Sequence, residues 1–126
     1  MANEQLTILT SAQRSAGTVN VDFTLAYARG LTLVVDVTAV EGDTHTLDVK
    51  LQYHDTTSDG YVDITGAAIA QRTAIGTSVL TVYPGITAAA NTKVDLPCGG
   101  RLRCVATVGG TGTPKVTYSI GALIHA

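Results

Sequence analysis

The stretch from Asp55 to Asp63, Asp-Thr-Thr-Ser-Asp-Gly-Tyr-Val-Asp, is the part of the chain nearest to a metal site. Asp55, Thr57, Asp59 and Asp63 could present oxygens to a hard cation, with Gly60 at a tight turn, as in the opening of a calcium loop. An EF-hand loop closes with a bidentate Glu at its twelfth position. Counted from Asp55, that position is Gly66, and the flanking residues read as strands rather than helices. A solvated hairpin turn is therefore the expectation. Cys98 and Cys104 are separated by Gly-Gly-Arg-Leu-Arg, and His45, His54 and His125 lie in separate segments. Zinc asks for closer pairs and more ligands. Cys104 falls at an inward position of its segment, where a thiol acts as a small hydrophobe. A Cys98–Cys104 bridge is the alternative. Gly-Thr-Ser78-Val lacks the elbow of a serine hydrolase. Gly109-Gly110-Thr111-Gly112-Thr113-Pro114 ends in proline between two strand-like runs, so it reads as a turn and not a phosphate loop. No spacing picks out a catalytic residue, a cofactor site or a metal site, and the expectation is a protein that is not an enzyme.

The elements around these residues are more legible. Ala28–Val40 is the longest strand-like run, with Leu31, Leu33, Val35, Val37 and Ala39 on one side. Thr32, Val34, Asp36, Thr38 and Val40 lie on the other, so one side is wholly apolar and the second is mixed. That pattern predicts a central antiparallel strand with its apolar face on a core. Thr18–Leu25 alternates in the same way, with Val19, Val21, Phe23 and Leu25 inward. So does Thr46–His54, with Leu47, Val49, Leu51 and Tyr53 inward. Tyr61–Thr65 reads as a short strand, and Gly66–Gly76 as a strand or an irregular crossing between sheets. Thr77–Tyr83 returns to strand and stops at Pro84-Gly85. Ile86–Thr92 is an Ala-rich loop, and Val94-Asp95-Leu96 a short edge strand before Pro97. Arg101–Val108 turns Leu102, Cys104, Ala106 and Val108 inward. Lys115–Ile124 does the same with Val116, Tyr118, Ile120, Ala122 and Ile124. Tyr27-Ala28-Arg29-Gly30, Glu41–Thr44 and Asp55–Gly60 are bends and turns. The expectation is an all-β, antiparallel β-sandwich or jelly-roll-like barrel of about eight strands with very little helix. Residues 1–15 form an N-terminal arm or edge strand, and 16–126 a single sandwich domain.

Composition narrows the partners. The chain has 126 residues, 45% of them hydrophobic and only 14% charged, with a net charge of −2. Charged residues fall below the usual share of about 25%, so the surface is expected to be compact or partly covered by neighbours. Without a Lys/Arg cluster, direct nucleic-acid binding is not expected, since phosphate neutralisation needs clustered cations. No basic segment followed by an apolar run opens the chain, and no apolar stretch reaches the ~18 residues of a membrane span. Reduced thiols and no membrane partner are the expectations.

Three segments carry a resemblance. They are Ala28-Arg29-Gly30-Leu31-x-Leu33-Val34-Val35-Asp36-Val37-Thr38-Ala39-Val40, Leu80-Thr81-Val82-Tyr83-Pro84-Gly85-Ile86-Thr87-Ala88-Ala89-Ala90-Asn91, and Val116-Thr117-Tyr118-Ser119-Ile120-Gly121-Ala122-Leu123-Ile124. In order and spacing the chain resembles small all-β structural proteins of tailed bacteriophages, from about Ala28 to the end. The Tyr-Pro-Gly-x-Thr-Ala-Ala-Ala-Asn segment is the most specific part. The resemblance implies a virion protein, and within that set a capsid decoration (cement) protein made in the bacterial host cytoplasm. Its partners would be the major capsid protein and further copies of itself, a trimer first among oligomers. Interface residues would be Leu6 and Ile8 in the segment Ala2–Ser15, and Tyr83, Pro84, Ile86 and Asn91 in the loop. A tail or head–tail joining protein that forms rings is the alternative. A carbohydrate-binding sandwich of a host-adhesion device is a second, although the chain has no Trp and few exposed-reading rings to build a sugar platform.

Overall fold

The computed structural model describes residues 4–26 and 28–126. Tyr27, expected to open the first bend, and Ala2, expected within a contact segment, lie outside the described residues. The described residues form nine strands and no helix: β1 (Glu4–Ser15), β2 (Gly17–Leu25), β3 (Gly30–Glu41), β4 (Thr44–Asp55), β5 (Gly60–Ala68), β6 (Gly76–Val82), β7 (Lys93–Val94), β8 (Gly100–Thr111) and β9 (Lys115–His125). A five-stranded sheet runs in the order β1-β9-β3-β6-β7, and a four-stranded sheet in the order β2-β8-β4-β5.

With β7 set aside, the chain pairs as one long hairpin folded over on itself. β1 pairs β9, β2 pairs β8, β3 pairs β6 and β4 pairs β5, all antiparallel. Successive pairs fall in alternate sheets, and β3–β9 and β4–β8 contacts join them. This is jelly-roll connectivity, an all-β sandwich as the periodicity predicts. The ninth strand is the two-residue β7, which pairs β6 in parallel, an exception to the antiparallel expectation. The segment between β5 and β6 is the irregular crossing from one sheet to the other. Leu47 and Arg72 exchange backbone bonds of 2.9 Å across it.

The core lies between the sheets. Leu31, Leu33, Val35 and Val37 of β3 are 0–1% exposed, as are Leu47, Val49 and Leu51 of β4. Each such side chain contributes roughly 1.5–3 kcal/mol by leaving water. Period two fails at one predicted core position. Ala39 is exposed, because the β3–β9 register slips between Val37 and Ala39. The bulge restarts the alternation one residue later, and Val40 packs against the core in its place. At the other end of β3, a Cβ on Gly30 would collide with the Val82 carbonyl, so this position must stay bare for β3 and β6 to close.

Candidate functional site

The two outer faces of the sandwich differ in chemistry. The four-stranded sheet carries an interlocked polar surface. Arg103 of β8 donates Nε and Nη2 to the two carboxylate oxygens of Asp22 on β2, at 2.6 and 3.1 Å. Its guanidinium lies 3.6 Å from the centre of the Tyr61 ring on β5. The bond from Arg103 holds the Asp22 carboxyl below its ordinary pKa, and Asp22 in turn raises that of Arg103. Lys50 and Gln52 of β4 both donate to Asp63 of β5, which lowers that carboxyl too, with the Gln52 bond as the larger cause. Gln71 donates to Asp48.

The outer face of the five-stranded sheet is nearly uncharged at its centre. Over Thr32–Asp36 of β3, Thr77–Val82 of β6 and Ser119–Leu123 of β9, Asp36 is the one charged residue, and it accepts from the Thr77 hydroxyl at 3.1 Å. Val34 sits opposite Val79 on one side and Gly121 on the other. Val79 is 48% exposed and Leu123 37%, two of the four large apolar side chains in open solvent among the described residues. Gly121 leaves a groove of about 530 Å³ bounded by Val34, Leu123, Gln5, Leu6 and Thr7. Toward one end of the face the Thr32 hydroxyl bonds Thr81 at 3.1 Å and His125 Nε2 at 2.8 Å. Lys93 stands at the edge beside Thr81, and Glu41 faces Lys115 at the far end.

The residues named from sequence as interface positions divide. Ile8 is buried in the core, and Leu6 is half-buried against it at the rim of the Gly121 groove. Tyr83 and Ile86 come to one end of the uncharged face, where they border a depression with Thr81 and His125. The Tyr83 ring meets His125 edge-on at 5.9 Å. Pro84 is half-buried. Asn91 lies elsewhere: at φ 59° it donates to the Ala68 carbonyl of β5, walling a cleft of about 690 Å³ lined by Ala88, Ala89, Ala90 and Val94. Sequence reasoning missed Val79 and Leu123. Val34, an aliphatic residue on the polar side of β3, was the available signal.

The calcium pattern comes apart. Asp55 accepts from the Thr57 amide and the Ser58 hydroxyl, a local turn whose bonds, Ser58 first, lower its pKa. Asp59 bonds His54 at 2.9 Å, and Asp63 points to Lys50 and Gln52. Among the described residues no three His, Cys, Asp or Glu side chains gather where they could hold a metal ion. Cys98 and Cys104 are free and buried, and burial pushes each thiol up to about 12. The bridge alternative is therefore not the one adopted.

No family model matches the sequence, and no curated protein matches it. Among solved structures, the chain is similar to the CBM36-1 domain of a multidomain xylanase from the hindgut metagenome of Trinervitermes trinervoides. That match has 8% identity over 99% of this chain and 98% of that one, at a TM-score of 0.47. It is also similar to chains in structures of infectious bursal disease virus. The Gx strain matches at 15% identity over 98% of this chain and 32% of that one, with a TM-score of 0.39. The Gt strain matches at 14% identity over 98% and 33%, with a TM-score of 0.36. At these values none of the three transfers a ligand or a role to this chain.

Proposed function

We propose that this chain is a virion structural protein of a tailed bacteriophage, a capsid decoration (cement) protein that binds the assembled head shell and stabilises it without catalysis. The observation that carries the reading is the outer face of the five-stranded sheet. Val34 and Leu123 line the open Gly121 groove and Val79 lies beside Val34 on its other side, with one charged side chain in the central stretch. A face of that kind suits a broad, weakly polar protein contact. The opposite face holds its charges in ion pairs and polar bonds, Asp22 with Arg103, Asp63 with Lys50 and Asp48 with Gln71, and suits solvent. The phage resemblance supplies the identity of the partner, the major capsid protein. A clamp that binds the assembled lattice and not loose subunits stabilises the lattice by mass action.

The carbohydrate reading has less support. Tyr61 lies under Arg103, Tyr118 is in the core, and the Tyr53 hydroxyl donates to the Pro97 carbonyl at 2.7 Å. Few rings are left with a free face for stacking on a sugar. The test is co-sedimentation of the purified protein with expanded empty heads. Saturable binding is expected, with loss in Val79→Asp and retention in Lys50→Gln on the opposite face. Absence of binding to expanded heads sinks the proposal.

A further inference from the structure

The sandwich has four strand edges, and three of them are protected. β1 breaks register twice, between Thr7 and Leu9 and between Leu9 and Ala12. Arg14 also donates to the Thr10, Ala12 and Tyr118 carbonyls there. β7 is two residues long. β5 slips register against β4 between Lys50 and Gln52, and Asn91 occupies the Ala68 carbonyl. Bulges, short strands and side-chain caps are the usual devices that stop an edge from recruiting another strand. β2 has none of them. It pairs β8 in unbroken register from Gly17 to Leu25, with no proline, no lysine and no inward charge. Its second edge pairs with no strand among the described residues. Its inward residues Val19, Val21 and Phe23 are half-exposed, whereas the inward residues of the neighbouring β8 are buried.

We infer that β2 pairs with β2 of a second copy, antiparallel across a two-fold axis at Val21, joining the two four-stranded sheets into one sheet of eight strands. Val21 is the midpoint of Gly17–Leu25, so this register is the one that pairs the strand over its whole length. It sets Val19 opposite Phe23 and Val21 opposite itself on the inner side, apolar pairs that close the open flank. On the outer side it sets Thr18 opposite Thr24, and Asn20 opposite Asp22. Asp22 is held in place by Arg103 and keeps acceptor sites for an amide donor. Moving the axis by one residue toward the C-terminus would place the two Asp22 carboxylates face to face, so charge also selects the Val21 axis. The contact is isologous, the same strand meeting itself, unlike the heterologous contact of the trimer that the phage resemblance implies. It lies on the flank and not on the uncharged face, and it does not depend on shell binding.

Sedimentation equilibrium of the full chain from about 1 to 100 µM tests it. A dimer is expected. Asn20→Asp places carboxylates opposite Asp22 twice per contact, and should weaken the dimer about tenfold at low salt. Asn20→Asp combined with Asp22→Asn restores the amide–carboxylate pairs with the partners exchanged, and should recover the dimer. Circular dichroism checks that each variant keeps its strands. A monomer throughout, a trimer, or a dimer indifferent to Asn20→Asp overturns the inference. A monomer that still binds heads overturns it and leaves the shell reading standing.

Discussion

Arg14 fastens the strand whose register is interrupted most often. The second register break in β1 leaves Thr10 without a partner on β9, and one guanidinium bonds its carbonyl along with those of Ala12 and Tyr118, the bonds to Thr10 and Tyr118 being 2.8 Å long. The same group lies 4.6 Å from the centre of the Tyr118 ring. Arg14→Ala should cost about 1–2 kcal/mol, as expected for lost charge-assisted bonds at a half-buried site. Denaturant midpoints measure this, and hydrogen exchange should show the β1 amides released first. The thiols give a second prediction at this scale. Cys98 and Cys104 titrate at about 12 when folded and near 8.5 when unfolded. Folding therefore keeps both protonated. Their contribution is complete below about pH 8, then falls as pH rises toward the folded value, by up to about 1.4 kcal/mol per unit for each thiol. Tyr53 and Tyr118, both raised chiefly by burial, add loss in the same direction at higher pH. Native protein at pH 8 should resist iodoacetamide and label fully in denaturant. Rapid native labelling would show the burial to be wrong.

Among the elements, the strands with an unbroken period were legible in the residues alone. β4, β8 and β9 turn inward the side chains that alternation assigns, because each is central and its inner face meets only the opposite sheet. What was not legible depends on partners. The bulge after Val37 follows from how β9 runs beside β3, and Ala39 has nothing in its own neighbourhood that betrays it. The parallel β6–β7 pairing requires the 83–92 loop to carry the chain back alongside β6, which composition does not specify. The candidate face was less legible still. Val34, Val79 and Leu123 come from three strands and meet only through registers. The glycines give a paired prediction. A Cβ at Gly110 would run into the Thr44 carbonyl, and its φ of 127° is unsuited to a side chain, so Gly110→Ala should strain the β4–β8 ladder by about 1–3 kcal/mol. A Cβ at Gly121 meets nothing nearer than the Leu6 carbonyl at 3.9 Å. Gly121→Ala should therefore be neutral or stabilising by up to about 1 kcal/mol, since alanine has less backbone freedom to lose. Thermal unfolding of the two variants side by side reads the contrast.

At the scale of the whole molecule, the jelly roll separates two surfaces that the chain alternates residue by residue. Inward positions make the core, and outward positions are sorted by sheet. On the four-stranded side Asp22 and Arg103, and Lys50 and Asp63, neutralise one another, whereas on the five-stranded side the charges lie at the edge strands and the far end and Asp36 alone sits at the centre. This sorting makes a prediction about salt. A contact steered by charge weakens as the Debye length shrinks, from about 10 Å at 0.1 M to about 3 Å at 1 M. A contact through Val34, Val79, Leu123 and hydroxyls has almost no charge to screen. If the uncharged face docks on the head shell, the Kd for expanded heads should change less than about threefold between 0.1 and 1 M salt. Sulfate, which strengthens apolar burial, should tighten it. Gly121→Ala tests the same surface from a second direction: the added methyl sits in the groove, so binding should weaken while stability does not. A steep loss of head binding with salt, together with normal binding by Val79→Asp, would move the contact to the charged sheet.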